Sequence, residues 1–146
     1  VSKQEGKVPG IIIVTHGDFG REIIKSAEMI IGVQENVRAV SLLPGVDLAE
    51  FLQEVKSVLQ EMPDNSLLMC DLFGGTPSNV SAALLTEMKV NAVTGLNLSM
   101  LIEACTSRGF MQGQELAGAV VSAGKIGCKN ISEEMNHVDH RKLKEE

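Results

Sequence analysis

The chain has no tryptophan, no tyrosine and only four phenylalanines in 146 residues. Proteins that stack bases on their surface need aromatic faces, and here they are missing. Excess positive charge is missing too. The formal net charge is −6, and no basic stripe offers the phosphate neutralisation on which nucleic-acid binding rests, so no nucleic acid is expected as a partner. No apolar run approaches the ~18 residues that would span a bilayer. The polar first seven residues do not read as a signal peptide. The three cysteines, Cys70, Cys105 and Cys128, are odd in number, widely spaced and set in apolar context. They read as small buried hydrophobes of a reducing compartment, not as a disulfide frame or a zinc site. Neither Gly-x-x-x-x-Gly-Lys-Ser/Thr nor Gly-x-Gly-x-x-Gly after the first strand occurs, and no acidic cluster suits magnesium, so no cofactor is expected. What is left is an acidic, cytoplasmic, single-domain protein.

The densest signal that is present lies near the start. Ile11, Ile12, Ile13 and Val14 run without polar alternation into Thr15-His16-Gly17, and a helical pattern follows at once. A strand buried on both faces has this composition. Residues 1–9 form a flexible lead-in before it. Beyond Gly17, Phe19, Ile23, Ala27, Ile30 and Ile31 recur at helical spacing up to Gly32. Residues 37–43 make a second strand whose Arg38 and Ser41 suit a sheet edge. Asp47 is the expected N-cap of a second helix carrying Leu48, Phe51, Leu52, Val55 and Leu59.

Residues 67–70 form a third apolar strand that empties into Asp71-Leu72-Phe73-Gly74-Gly75-Thr76-Pro77. A third helix is expected from Ser78, with Thr76 as N-cap and Pro77 in the first helical position. Residues 91–94 are a fourth strand. Leu98, Leu101, Ala104 and Cys105 mark a fourth helix up to Arg108-Gly109. Leu116, Val120 and Ala123 mark a fifth, weakened by Gly118, Gly124 and Gly127. Residues 132–146 are mostly charged and read as a frayed helix or tail.

Strand and helix alternating four times imply an α/β, doubly wound, mostly parallel sheet with helices on both faces. If the second and third strands flank the first, the order begins 2-1-3-4. The crevice at the carboxyl ends of the first and third strands is then the topological switch point, where such folds bind ligands. His16 ends one of these strands and Asp71 the other.

A carboxylate that accepts a hydrogen bond from one imidazole nitrogen fixes the tautomer and leaves the other nitrogen as a lone-pair donor. That nitrogen could serve as general base or nucleophile. Thr15, Thr76 and Ser78 are not placed as activated nucleophiles, so attack by the ring itself is the simpler reading. Gly74, Gly75 and Thr76 bring backbone amides and a helix start to the same crevice, and Gly17 does so at the first helix, a setting suited to a phosphoryl group. Blander readings stand beside this one. His16 could be a surface or cap residue, and Asp71 a turn-former. Asp18 and Arg21 read as helix capping and solvated surface. His137 and His140 lie in a tail of alternating charge and read as solvated, not as metal ligands. The seven methionines read as core filler.

With these segments together, residues 10–131 resemble the IIA domain of the mannose-family sugar phosphotransferase system. The resemblance is carried by Ile12-Ile13-Val14-Thr15-His16-Gly17 with Ala27-Glu28-Met29, by Asp71-Leu72-Phe73-Gly74-Gly75-Thr76-Pro77-Ser78-Asn79, by Thr94-Gly95-Leu96-Asn97-Leu98-Ser99-Met100-Leu101, and by Pro44-Gly45. It implies catalytic residues His16 and Asp71, and a phosphate-binding loop of Gly17, Gly74, Gly75 and Thr76. His16 would accept phosphoryl from the phosphocarrier protein HPr and pass it to the IIB component, which serves sugar entering through membrane-bound IIC and IID. It also implies a homodimer that exchanges a late edge strand, for which residues 127–131 are the candidate. The tail carries no IIB sequence, so a free-standing IIA polypeptide or an excised domain is expected. Alternatives are a phosphotransfer subunit of a dihydroxyacetone kinase, a regulatory IIA-like domain, or a flavodoxin-like binding module in which His16 only contacts an anion.

Overall fold

The computed structural model describes residues 7–145, with side chains described through residue 138. The expected lead-in therefore lies largely outside the described residues, as does the side chain of His140. Four strands, β1 (Ile11–His16), β2 (Val37–Leu42), β3 (Ser66–Cys70) and β4 (Val90–Val93), form one parallel sheet in the order β2-β1-β3-β4. Among the described residues six helices accompany them: α1 (Phe19–Ile31), α2 (Leu48–Gln60), α3 (Thr76–Leu84), α4 (Leu98–Ser107), α5 (Gly113–Ile126) and α6 (Ile131–Glu145). Among the described residues no helix is long and apolar enough to cross a membrane.

The alternation of a strand explains the two-sided core. Ile11 and Ile13 of β1, with Leu67 and Met69 of β3, point to the layer of α1, α4 and α5. Ile12 and Val14, with Leu68 and Cys70, point to the layer of α2 and α3. This is why β1 and β3 are apolar at every position, while the edge strand β2 carries the exposed Arg38. Helix α2 buries Phe51, Val55 and Leu59, spaced four apart, and each contributes roughly 1.5–3 kcal/mol through burial. Its N-cap is Asp47, whose carboxylate accepts the Glu50 amide at 3.3 Å.

Two expectations need correction, and the charged end takes the helical one of its two readings. Thr76 is the first residue of α3, not its cap. Gly75 occupies the cap position at φ 81° and ψ 174°, a conformation open to glycine, so the helix begins earlier and the threonine hydroxyl is not used for capping. Residues 127–131 form no strand: Gly127 closes α5 and Ile131 opens α6. The charged end is helical over Ile131–Glu145. Helix α5 forms despite its glycines because Leu116, Ala117 and Val120 are buried and Gly124 lets Met100 of α4 approach closely.

Candidate active site

The order β2-β1-β3-β4 puts β1 and β3 side by side, and in this register Val14 pairs with Cys70. His16 and Asp71 therefore leave the sheet at adjacent points. Asp71 Oδ2 accepts two hydrogen bonds from His16, from the backbone amide at 3.0 Å and from ring Nδ1 at 2.9 Å. Its other oxygen, Oδ1, accepts the amide of Leu72 at 3.0 Å. Partial burial pushes the Asp71 carboxyl up. The hydrogen bonds from the His16 amide and ring, the charge of His16 and a local backbone bond outweigh that, and hold it below the ordinary carboxylate range. An ionised carboxylate can only accept, so in the neutral ring Nδ1 carries the proton and Nε2 holds the lone pair.

The Asp71 side chain is 13% exposed and that of His16 is 48% exposed, so the carboxylate anchors from below and the ring faces outward. On the other side of the ring lies the turn before α3. A β-carbon built on Gly75 would stand 3.5 Å from His16 Cε1 and 3.6 Å from Nε2, so this turn passes directly beside the free nitrogen. Among the described residues, the amides of Gly74, Gly75, Thr76 and Ser78 find no backbone acceptor outside helices and strands. The start of α3 thus brings unpaired donors and its positive dipole end to the crevice that holds His16.

The expected site residues are accordingly brought together, with one change of role. Gly17 sits at φ +57°, and its amide is already bonded to Leu42 O at 2.8 Å. It makes the turn but is not a free donor for a ligand. Cys70, adjacent to Asp71, is not a second nucleophile. Burial pushes its thiol up, a hydrogen bond between the thiol and the Ser81 hydroxyl opposes this, and the neighbouring Asp71 charge adds to the rise.

Sequence reasoning missed two residues. Thr15 hydrogen-bonds within the β1–α1 turn. Arg108, at the opposite end of the sheet, is buried and donates to Pro9 O, Glu35 O and Gln34 Oε1. The partners of Thr15, Gly17 and Gly20, are close in sequence but need the geometry of the turn, and those of Arg108 lie in distant segments that only the fold brings near.

A parallel sheet of order 2-1-3-4 carrying a His–Asp pair at its switch point can be compared with known families. A family model described as "PTS system fructose IIA component" (EIIA-man) matches residues 10–121. The chain belongs to the EIIA-man family. It is 28% identical over 131 residues to the fructose-specific EIIA component of Bacillus subtilis strain 168, covering 88% of this chain and 90% of that one. It is also 28% identical over 125 residues to the mannose-specific EIIAB component of Escherichia coli K12. That match covers 83% of this chain and only 39% of the EIIAB polypeptide, so the chain spans about two fifths of that relative's length. Among solved structures, the phosphotransferase system component EIIA of Streptococcus agalactiae superposes with a TM-score of 0.79 at 35% identity, covering 85% of this chain and 98% of that one. These matches join the chain to the IIA components of the sugar phosphotransferase system, the family its motifs resemble.

Proposed function

We propose that the chain is a phosphoryl carrier of the phosphoenolpyruvate-dependent sugar phosphotransferase system, with His16 as its phosphorylated residue. The observation that carries this reading is the Nδ1–Asp71 hydrogen bond at 2.9 Å, which leaves Nε2 outward and beside the Gly75 turn. In the first half-reaction the Nε2 lone pair attacks the phosphorus of phospho-HPr, and the bond from phosphorus to HPr breaks with its electron pair leaving on HPr. In the second, the Nε2–phosphorus bond breaks as the acceptor atom of the IIB component attacks in line. Asp71 balances the positive charge of the phosphorylated ring. The unpaired amides of Gly74, Gly75 and Thr76 receive the equatorial oxygens. Sequestration of the site falls to the docked protein partner, since His16 is half exposed in the isolated chain.

The rim of the crevice fits a protein-sized partner. Phe19 at the start of α1 and Leu72 and Phe73 on the β3–α3 loop are exposed near His16, an unusual use of large apolar side chains next to a polar site. Downstream, IIB would serve the membrane components IIC and IID in the cytoplasm. A homodimer is supported by the unpaired outer edge of β4 and an adjoining cavity of about 490 Å³, lined by Phe73, Leu85, Val93, Thr94, Val121 and Lys125. The relatives reported above are sugar components, which favours this reading over a dihydroxyacetone kinase subunit or a regulatory domain.

Incubation with phosphoenolpyruvate, Enzyme I and HPr, followed by intact mass measurement, tests the proposal. A phosphate-sized, acid-labile and alkali-stable gain is expected, and His16→Ala abolishes it. Wild-type protein that gains no mass under these conditions would rule the reading out.

A further inference from the structure

The turn that presents His16 is held by a side chain that the phosphoryl chemistry does not use. Thr15 is fully buried at the end of β1. Its hydroxyl donates to Gly17 O at 3.2 Å and accepts from the Gly20 amide at 3.0 Å. The two bonds bracket His16: one folds the chain back immediately after it, and the other ties that fold to the first turn of α1. Asp18, in the N-cap position, makes no side-chain capping bond, so Thr15 satisfies the amide that a cap would ordinarily reach. Gly20 sits close enough to Thr15 that a β-carbon there would lie 3.2 Å from the hydroxyl oxygen.

The next strand supplies an internal control. Ser41 is in register with Thr15 and is also buried, yet its hydroxyl has no hydrogen-bond partner among the described residues. Two neighbouring hydroxyls thus lie side by side on the sheet, and only one is bonded into the turn that carries the histidine.

We propose that Thr15 is a positioning residue for phosphoryl transfer, its hydroxyl locking Gly17 and Gly20 so that the His16 ring stays aligned between Asp71 and the Gly75 turn. The inference rests on the phosphoryl-carrier reading of His16. Nε2 lies at the far end of the ring from the backbone, so a small rotation of the turn becomes a larger displacement of the attacking atom. In-line attack tolerates little of that.

The experiment measures the initial rate of phosphoryl transfer from phospho-HPr over a range of donor concentrations, together with thermal unfolding. The proteins are wild type, Thr15→Val, Thr15→Ser and Ser41→Ala. Thr15→Val keeps the shape and loses both bonds. Its maximal rate is expected to fall about 10- to 100-fold, with the concentration for half-maximal rate within about twofold of wild type. Thr15→Ser restores the hydroxyl and is expected to return the rate to within about threefold of wild type. Ser41→Ala is expected to transfer as wild type does. A folded Thr15→Val with wild-type maximal rate overturns the proposal, and so does a loss confined to the half-maximal concentration. A Thr15→Ser as slow as the valine variant overturns it too. Should Thr15→Val not fold, Thr15→Cys, which keeps a small side chain with weaker hydrogen bonds, must show the same fall in maximal rate, and a wild-type rate there overturns the proposal. A wild-type protein that accepts no phosphoryl group overturns the carrier reading itself, which separates the two failures.

Discussion

Each end of the sheet holds a charged side chain against the backbone of a distant segment, and the two ends use it differently. At the amino end, the buried Arg108 donates to Pro9 O at 3.2 Å, Glu35 O at 2.7 Å and Gln34 Oε1 at 3.4 Å, which ties the end of α4 to the entry of β1 and the α1–β2 loop. At the carboxyl end, Asp71 gathers three N–H donors from β1 and its own loop, yet the ring it holds keeps Nε2 unpaired at the surface. The same kind of polar contact is a structural clamp where the bonded groups are enclosed, and leaves a ring nitrogen accessible, as the proposed carrier role requires, where one atom faces out. Burial and the count of unused lone pairs separate the roles, not residue type.

The separation can be broken most sharply from the amino end. Arg108→Met leaves the buried Pro9 O and two part-buried acceptors, Glu35 O and Gln34 Oε1, without this donor and is expected to lower stability by about 3 kcal/mol, read by denaturant unfolding, while phosphoryl transfer per folded molecule stays at the wild-type rate. Slowed transfer in the folded variant would show that the two ends are coupled.

Asp71→Asn addresses the other end. An amide cannot accept at both oxygen positions, so a nitrogen faces either the Leu72 amide or the His16 donors, and transfer is expected to slow about 100-fold with the fold retained. The same variant tests the pH dependence. Because the folded carboxyl lies below its ordinary value, its stabilising contribution is complete above about pH 4 and is lost as pH falls through the lowered folded value. Wild-type stability should therefore drop more steeply than that of Asp71→Asn below about pH 4, and parallel curves would refute the assignment.

Gly75→Ala is smaller in effect. The added methyl is strained at φ +81° and lies against the ring, so roughly a tenfold loss of transfer is expected, with about 1–3 kcal/mol of lost stability measured by denaturation. Ser41→Ala is the smallest. Removing a hydroxyl that has no partner should change stability by less than about 0.5 kcal/mol, or raise it, and a larger loss would mean that a bond is formed there in solution.

Much of the fold was legible. The uniform apolarity of residues 11–14 and 67–70 marked strands covered on both faces, and helical periodicity placed α1, α2 and α4 to within a few residues. The edge position of β2 followed from Arg38. The errors came where glycine decides the backbone. The cap of α3 stands at Gly75, one residue ahead of the expected Thr76, because a residue without a β-carbon can take the extended positive-φ corner that a threonine avoids. Gly17 was expected to donate to phosphate, but its amide lies next to Leu42 O of β2, a neighbour set by strand register and invisible in the local sequence.

The amino-acid sequence by itself determined the alternation of strands and helices, the two-sided core, and the presence of a histidine and an aspartate at the ends of two strands. These follow from periodicity and burial, which are properties of neighbouring residues. Only the tertiary structure decided that Asp71 Oδ2 meets Nδ1, so that Nε2 is the free atom, that the Gly75 turn stands beside it, and that Thr15 is bonded where Ser41 is not. The contacts of Asp71 and Gly75 with His16 join residues far apart in the chain, at distances that strand register sets only once the whole sheet has formed, and the Thr15 bonds, though short in sequence, need the folded geometry of the β1–α1 turn.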